Sequence, residues 1–307
     1  ALSGYGKVAG LLHADEVNHA AGTISKTSSH GYNLIQGNNL TVTRVRPKTE
    51  VVRESHSVSE AMEDLRRLGE ERLGKADLNS GLEYGTIAIS KYRRTDGTNS
   101  WLVTIPGTDG KRDSPFGWPQ NVELMSSDSK QRMEADSARM VQEAMKQAGI
   151  NSDEPVALIG HSQGGIVAAT IASDLKDDYD VKHVVTAGSP VANHPIPDKT
   201  WVTSVEMDDE LVAALDGAPN PNSEHWLTVR GTASKSDNNP KSTFAGTPVI
   251  DAPDNKEITH WLKYHQAAYQ NATDMGSSAV KTHERHFDEI LDGDLQEVMY
   301  FEGRMSK

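Results

Sequence analysis

Apolar and polar positions along the chain fall into short segments of two periods. Residues 40–46 (LTVTRVR) alternate as a strand does, and Pro47 ends the run. Over 57–73 (SVSEAMEDLRRLGEERL), Val58, Ala61, Met62, Leu65 and Leu68 recur at helical spacing, with Ser57 or Ser59 placed to cap the first turn. Tyr84–Tyr92 alternates again, Asp96-Gly97 is a hairpin-turn dipeptide, and Trp101–Pro106 is the returning strand. A helix is predicted over Ser129–Ala148, with Gly149 as its C-cap signal. Residues 1–40 carry only a weak helical signal around Val8–Ala21.

Beyond residue 150 the pattern changes. Pro155–Ile159 (PVALI) is apolar without interruption, the mark of a strand buried on both faces. An apolar helix follows at Gly165–Leu175, then buried strands at Val181–Ala187 and Trp201–Met207. This alternation predicts a mostly parallel central sheet with helices on both faces. Residues 216–257 are rich in Pro, Asn, Ser and Asp, with short strand candidates at His225–Val229 and Thr247–Ile250. Helix is predicted again at about His260–Thr273 and at Ser278–Leu291; Gly293 closes the second, and Glu297–Arg304 reads as a last strand.

Composition narrows the function. The net charge of −13 argues against a nucleic-acid backbone as partner and against broad adsorption to anionic lipid, though it leaves room for a local basic patch. The absence of cysteine excludes disulfides, thiolate metal sites and a cysteine nucleophile. No apolar run approaches the length of a membrane span, and the first residues, ALSGYGKVAG, do not have the form of an intact signal peptide. An upstream signal removed by processing is compatible with a chain that starts without Met.

Residues 160–164 are Gly-His-Ser-Gln-Gly, a G-x-S-x-G that directly follows a buried strand and directly opens an apolar helix. That context suits a strained strand-to-helix turn that pushes the Ser162 hydroxyl out over the sheet edge. The backbone N–H of Gln163, at the helix N-terminus, is then placed to donate to an oxyanion. No lysine follows in phosphate-loop spacing. His161 is expected to pack and shape the turn rather than act as a base.

These residues resemble the α/β-hydrolase lipases and esterases. WLVTIPGT at 101–108 resembles the strand of the class 3 lipase branch that ends in Gly-Ser or Gly-Thr, and Trp118 and Asn121 loosely resemble a segment downstream of it. The resemblance covers roughly residues 82–275. It implies the α/β-hydrolase fold, and it implies that Thr108 supplies the second oxyanion donor. The expected organisation is a peripheral segment over 1–80 packing on the core, and a catalytic domain over 81–307 with a polar lid or insert around 210–257.

A serine hydroxyl needs a base, and the base needs an acid to orient it; in this fold they follow in the order Ser, acid, His. After WVTSVEM come Asp208, Asp209 and Glu210. Related hydrolases open this segment with Asp-x-hydrophobic-hydrophobic, which favours Asp209, with Asp208 second. For the base, His225 comes too early, and His283 and His286 read as a solvated helix face. His260 and His265 in THWLKYH remain, and His260, following the capping residue Thr259, is placed first. Their i, i+5 spacing is not that of a zinc helix, so no metal and no other cofactor is expected.

The expected activity is cleavage of a small-molecule ester or lipid through a Ser-His-Asp triad and an acyl-enzyme. An acyltransferase or thioesterase with the same triad, or a binding protein that kept the fold, are the alternatives. Phe116, Trp118 and Leu124 are the candidate apolar flap. Trp226 and Trp261 can line an acyl pocket, although core packing explains each as well.

Overall fold

A computed structural model of the chain describes residues 36–126, 128–208, 219–232, 234–236, 239–244, 247–249 and 261–307. Its main sheet has eight strands. They are β1 (Asn39–Val45), β2 (Thr86–Arg93), β3 (Asn99–Ile105), β4 (Pro155–His161), β5 (Asp180–Ala187), β6 (Trp201–Met207), β7 (Trp226–Gly231) and β11 (Asp294–Ser306). Their spatial order is β1-β11-β2-β3-β4-β5-β6-β7. Strands β3 to β7 run parallel, while β1, β11 and β2 form an antiparallel flank. Three short strands, β8 (Ser234–Ser236), β9 (Asn239–Phe244) and β10 (Thr247–Val249), make a separate antiparallel sheet.

Helices cover both faces because β4 is apolar on both. Val156 and Leu158 pack with Val141, Met145, Ile166 and Ile171 on one side. Ala157 and Ile159, the alternate positions, pack with Met62, Leu65, Tyr264 and Phe287 on the other. The first layer is made by α2 (Trp118–Leu124), α3 (Ser129–Glu134), α4 (Asp136–Ala148) and α5 (Gln163–Asp174). The second is made by α1 (Val58–Glu71), α6 (Leu262–Asp274) and α7 (Ser278–Ile290). Helix α5 is buried from Gln163 to Ser173, which is why its sequence is apolar all round rather than along one stripe.

Several local expectations are met. Ser57, not Ser59, caps α1, its Oγ accepting from the Glu60 N–H at 3.1 Å. The hairpin β2–β3 turns through Asp96-Gly97, with Gly97 at φ 85°. The helix predicted over 129–148 is instead two, because Ala135 is extended (φ −58°, ψ 131°) between α3 and α4. Alanine is compatible with either state, so the spacing did not mark the break.

Described parts of the two terminal regions belong to the sheet and its cover. Of the segment 1–80, residues 39–45 form the sheet edge and 58–71 cover β3 and β4. The last strand runs over Asp294–Ser306 and lies between β1 and β2, so the C-terminus closes the antiparallel flank. Part of the expected insert, 226–231, is the other edge of the main sheet. Phe116 and Leu124 are fully buried core residues, not a flap. The weak helical signal at 8–21 and the Trp118 side chain lie outside the described residues.

Candidate active site

The turn from β4 into α5 carries one of the two non-glycine residues at positive φ among the described residues. Ser162 sits at φ 55°, ψ −122°, a conformation that L residues rarely adopt. Several bonds hold it there. The Ser162 N–H donates to the Ala187 carbonyl at 2.9 Å, and the Ser162 carbonyl accepts from the Ser189 hydroxyl at 2.8 Å. Glycines on either side make the turn possible. A Cβ on Gly160 would lie 2.2 Å from the Gly164 backbone, and one on Gly164 would lie 2.0 Å from the Ile105 carbonyl oxygen. Those distances explain the spacing G-x-S-x-G in steric terms.

The chain leaving β3 approaches the same point. A Cβ on Gly107 would come within 3.1 Å of the Ser162 Cβ, so the Gly107–Thr108 peptide borders the serine. The Thr108 hydroxyl accepts from the Asn121 side-chain amide at 3.2 Å. Gln163 is buried and its side chain donates to the Gly117 carbonyl at 2.7 Å, tying α5 to this loop. Asp109 organises the loop from within. Its carboxylate accepts from the Gly85 N–H (2.9 Å), the Ser114 hydroxyl (2.7 Å) and the Lys111 N–H (3.1 Å), and pairs with Arg72 at 3.2 Å. Burial lowers the Arg72 pKa to about 10, and Asp109 works against that fall, so the guanidinium is charged at neutral pH.

Above Ser162 opens a cavity of about 540 Å³. Pro106, Gly107, Thr108, His161 and Ser162 line it together with Leu65, Gly69, Leu73, Met125, Ile166, Trp261 and Leu262, and Arg66, Glu70, Arg72, Lys75 and Lys263 add charge to the lining. The exposed lining is mainly apolar, with polar and charged side chains among it, the usual character of a small-molecule site. Trp261 is 47% exposed, and the ammonium groups of Lys75 and Lys263 lie 5.7 and 4.8 Å from its ring centroid. A basic, aromatic mouth therefore exists on a strongly acidic chain.

The structure places the other expected residues unevenly. Asp209 and His260 lie outside the described residues. Asp208 follows β6 directly; it is exposed, and its carboxylate accepts from the Thr232 hydroxyl at 2.9 Å. His265 is fully buried on α6 and does not line the cavity. Its Nδ1–H donates to the Trp261 carbonyl at 3.0 Å, and its ring meets the His161 ring edge-on at 5.8 Å between centroids. Burial pushes its pKa down to about 4, opposed by the Trp261 bond and the nearby Glu206. Trp226 is half-buried on the edge strand β7 and Trp261 is at the mouth.

His283 and His286 are not a solvated face. Val280, His283, Phe287 and Ile290 form the buried stripe of α7, a 3-4-3 spacing that was readable in the sequence. His183 and Thr203 complete a closed set with them. The His283 Nε2–H donates to the Glu224 carbonyl (3.0 Å), which can only accept, so in the neutral cluster every other direction follows. The Thr203 hydroxyl donates to His283 Nδ1 (3.1 Å), the His183 Nε2–H donates to Thr203 (2.8 Å), and the His286 Nδ1–H donates to His183 Nδ1 (2.9 Å). Trp201 stacks on His286 at 4.1 Å. Among the described residues no three His, Asp or Glu side chains are grouped so as to hold a metal ion.

Arg72, Asp109 and the wall from α1 were not foreseen. Arg72 and α1 lie outside the segment that carries the motifs, Asp109 directly follows it, and no local pattern marks any of them.

A mostly parallel sheet covered on both faces, with a G-x-S-x-G turn between strand and helix, defines the α/β-hydrolase fold. Residues 121–247, which include Ser162, match the model of the PGAP1-like alpha/beta domain, a family of α/β-hydrolase type. No curated protein matches the chain. No described helix is long and apolar enough to cross a membrane.

Proposed function

We propose that the chain is a serine hydrolase that cleaves carboxylic esters through an acyl-enzyme. The observation that carries this reading is the Ser162 turn. A serine held at φ 55°, ψ −122° opens a buried helix and lines a mainly apolar cavity. Such strain is stored where a side chain must be presented to a reactant.

In this mechanism the Ser162 oxygen attacks the ester carbonyl and its proton passes to a histidine. The imidazolium then gives that proton to the leaving alcohol, and water repeats the sequence to release the acid. The N–H groups of Thr108 and Gln163 receive the oxyanion, each worth about 3 kcal/mol. His260 is the proposed base. The burial of His265 and the commitment of its Nδ1–H to Trp261 support a role in fixing the start of α6 instead. Asp209 is the proposed acid, with Asp208 second. The cavity volume and its apolar walls suit an acyl chain.

Labelling with a fluorophosphonate, followed by peptide mapping, tests the reading. A single adduct on Ser162 is expected, with turnover of a short-chain chromogenic ester. Folded protein that takes no label and turns over no ester would overturn it.

A further inference from the structure

Arg72 closes the C-terminal end of α1, a helix outside both the G-x-S-x-G segment and the matched family region. Its side chain is buried, 2% exposed, and its guanidinium lies 5.9 Å from the Phe116 ring centroid. One Nη–H donates to the Asp109 carboxylate, and the other donates to the Gly107 carbonyl. A single guanidinium thus grips the chain on each side of Thr108.

The Gly107 carbonyl and the Thr108 N–H are the two ends of one planar peptide group. Fixing the oxygen fixes the direction of the N–H. A charged donor on that oxygen also draws electron density from the amide and strengthens the N–H as a donor. We propose that Arg72 is a positioning residue of the oxyanion site, orienting and polarising the Thr108 N–H through the Gly107 carbonyl. The proposal rests on the ester-hydrolase reading, with Thr108 as one of the oxyanion donors.

Anchoring the loop alone does not account for Arg72. Asp109 already receives three other donors, from Gly85, Lys111 and Ser114, which tie the loop to itself and to β2. A buried ion pair is also a poor device for stability, because the desolvation of both charges offsets most of their attraction. What Arg72 adds is the bond to the Gly107 oxygen, beside Ser162. Since Asp109 keeps its three donors when Arg72 is removed, the fold has a route to survive the substitution.

The test compares full-length wild type, Arg72→Met, Arg72→Lys and Arg72→Ala on a short-chain p-nitrophenyl ester. It also measures affinity for a trifluoromethyl ketone, whose adduct on Ser162 puts an oxyanion in the site. For Arg72→Met, kcat falls about 10- to 100-fold, below the loss for deleting a donor outright, while KM stays within about threefold. Ketone affinity falls by the same factor as kcat. Arg72→Lys keeps the cation but cannot span both acceptors, so it falls between wild type and Arg72→Met. Methylguanidinium restores part of kcat to Arg72→Ala, because Arg72 lines the cavity. If Arg72→Met does not fold, Arg72→Lys decides: a folded Lys variant with wild-type kcat and ketone affinity overturns the inference. The same result in folded Arg72→Met also overturns it. Wild type that neither turns over ester nor binds the ketone removes the hydrolase reading itself, and the inference with it.

Discussion

Two regions at opposite ends of the parallel strands gather histidines and hydroxyls, and they are built on opposite principles. At the N-terminal ends, His183, Thr203, His283 and His286 form a directional run of hydrogen bonds that ends on a backbone carbonyl and is packed against Trp201. At the C-terminal ends, Ser162 is strained, lines a cavity and opens a buried helix. A collection of titratable side chains does not by itself mark a functional site. The difference lies in strain and in open apolar space, both of which cost stability and persist where something is to be bound. The position agrees with the rule that parallel sheets bind ligands outside the carboxyl ends of their strands.

The largest expected effect separates the regions by activity. Ser162→Ala should lower ester turnover by about 10³-fold or more with little change in melting temperature, whereas His183→Ala should lower the melting temperature and leave kcat/KM of the folded fraction near wild type. Equal losses of activity in both variants would erase the distinction. Next in size is Gly164→Ala. Its Cβ would meet the Ile105 carbonyl oxygen at 2.0 Å, so destabilisation of about 3 kcal/mol is expected in urea unfolding. Gly74→Ala, where φ is +72° but nothing lies within 4 Å, should cost only about 1 kcal/mol.

The pH dependence of kcat/KM sharpens the assignment of the base. A base must be neutral to accept the serine proton, so activity is lost as pH falls through its pKa. With His265, held at about 4 by burial, activity would persist to about pH 4. An acid limb well above pH 4 is expected instead, which would exclude His265 as the base. The smallest effect belongs to the closed cluster. Burial and the neighbouring His283, His225 and Lys182 charges push His286 down to about 4. Between about 6.5 and about 4 the unfolded chain therefore binds more protons at this group than the folded one, and stability falls as pH drops through that window. His286→Gln should flatten that slope in denaturant titrations; an unchanged slope would remove His286 from the account.

Much of the fold was legible because it depends on local pattern. The apolar run at 155–159, the hairpin at Asp96-Gly97 and the cap at Ser57 each report a short-range constraint, and each appears in place. The stripe Val280, His283, Phe287 and Ile290 was equally present in the sequence, but the polar residues between its members hid it. The break at Ala135 and the burial of Phe116 and Leu124 carried no local signal.

What the sequence determined by itself was the strand–turn–helix around Ser162. Its glycines, its serine and its flanking apolar runs are contiguous, and steric and hydrophobic constraints act over a few residues. The tertiary structure alone decided what surrounds that serine: α1 as a cavity wall, Trp261 at the mouth, and Arg72 on the Gly107 carbonyl, 35 residues away in the chain. Those contacts are selected by packing between distant segments, and no spacing rule within either segment encodes which partner the other will meet.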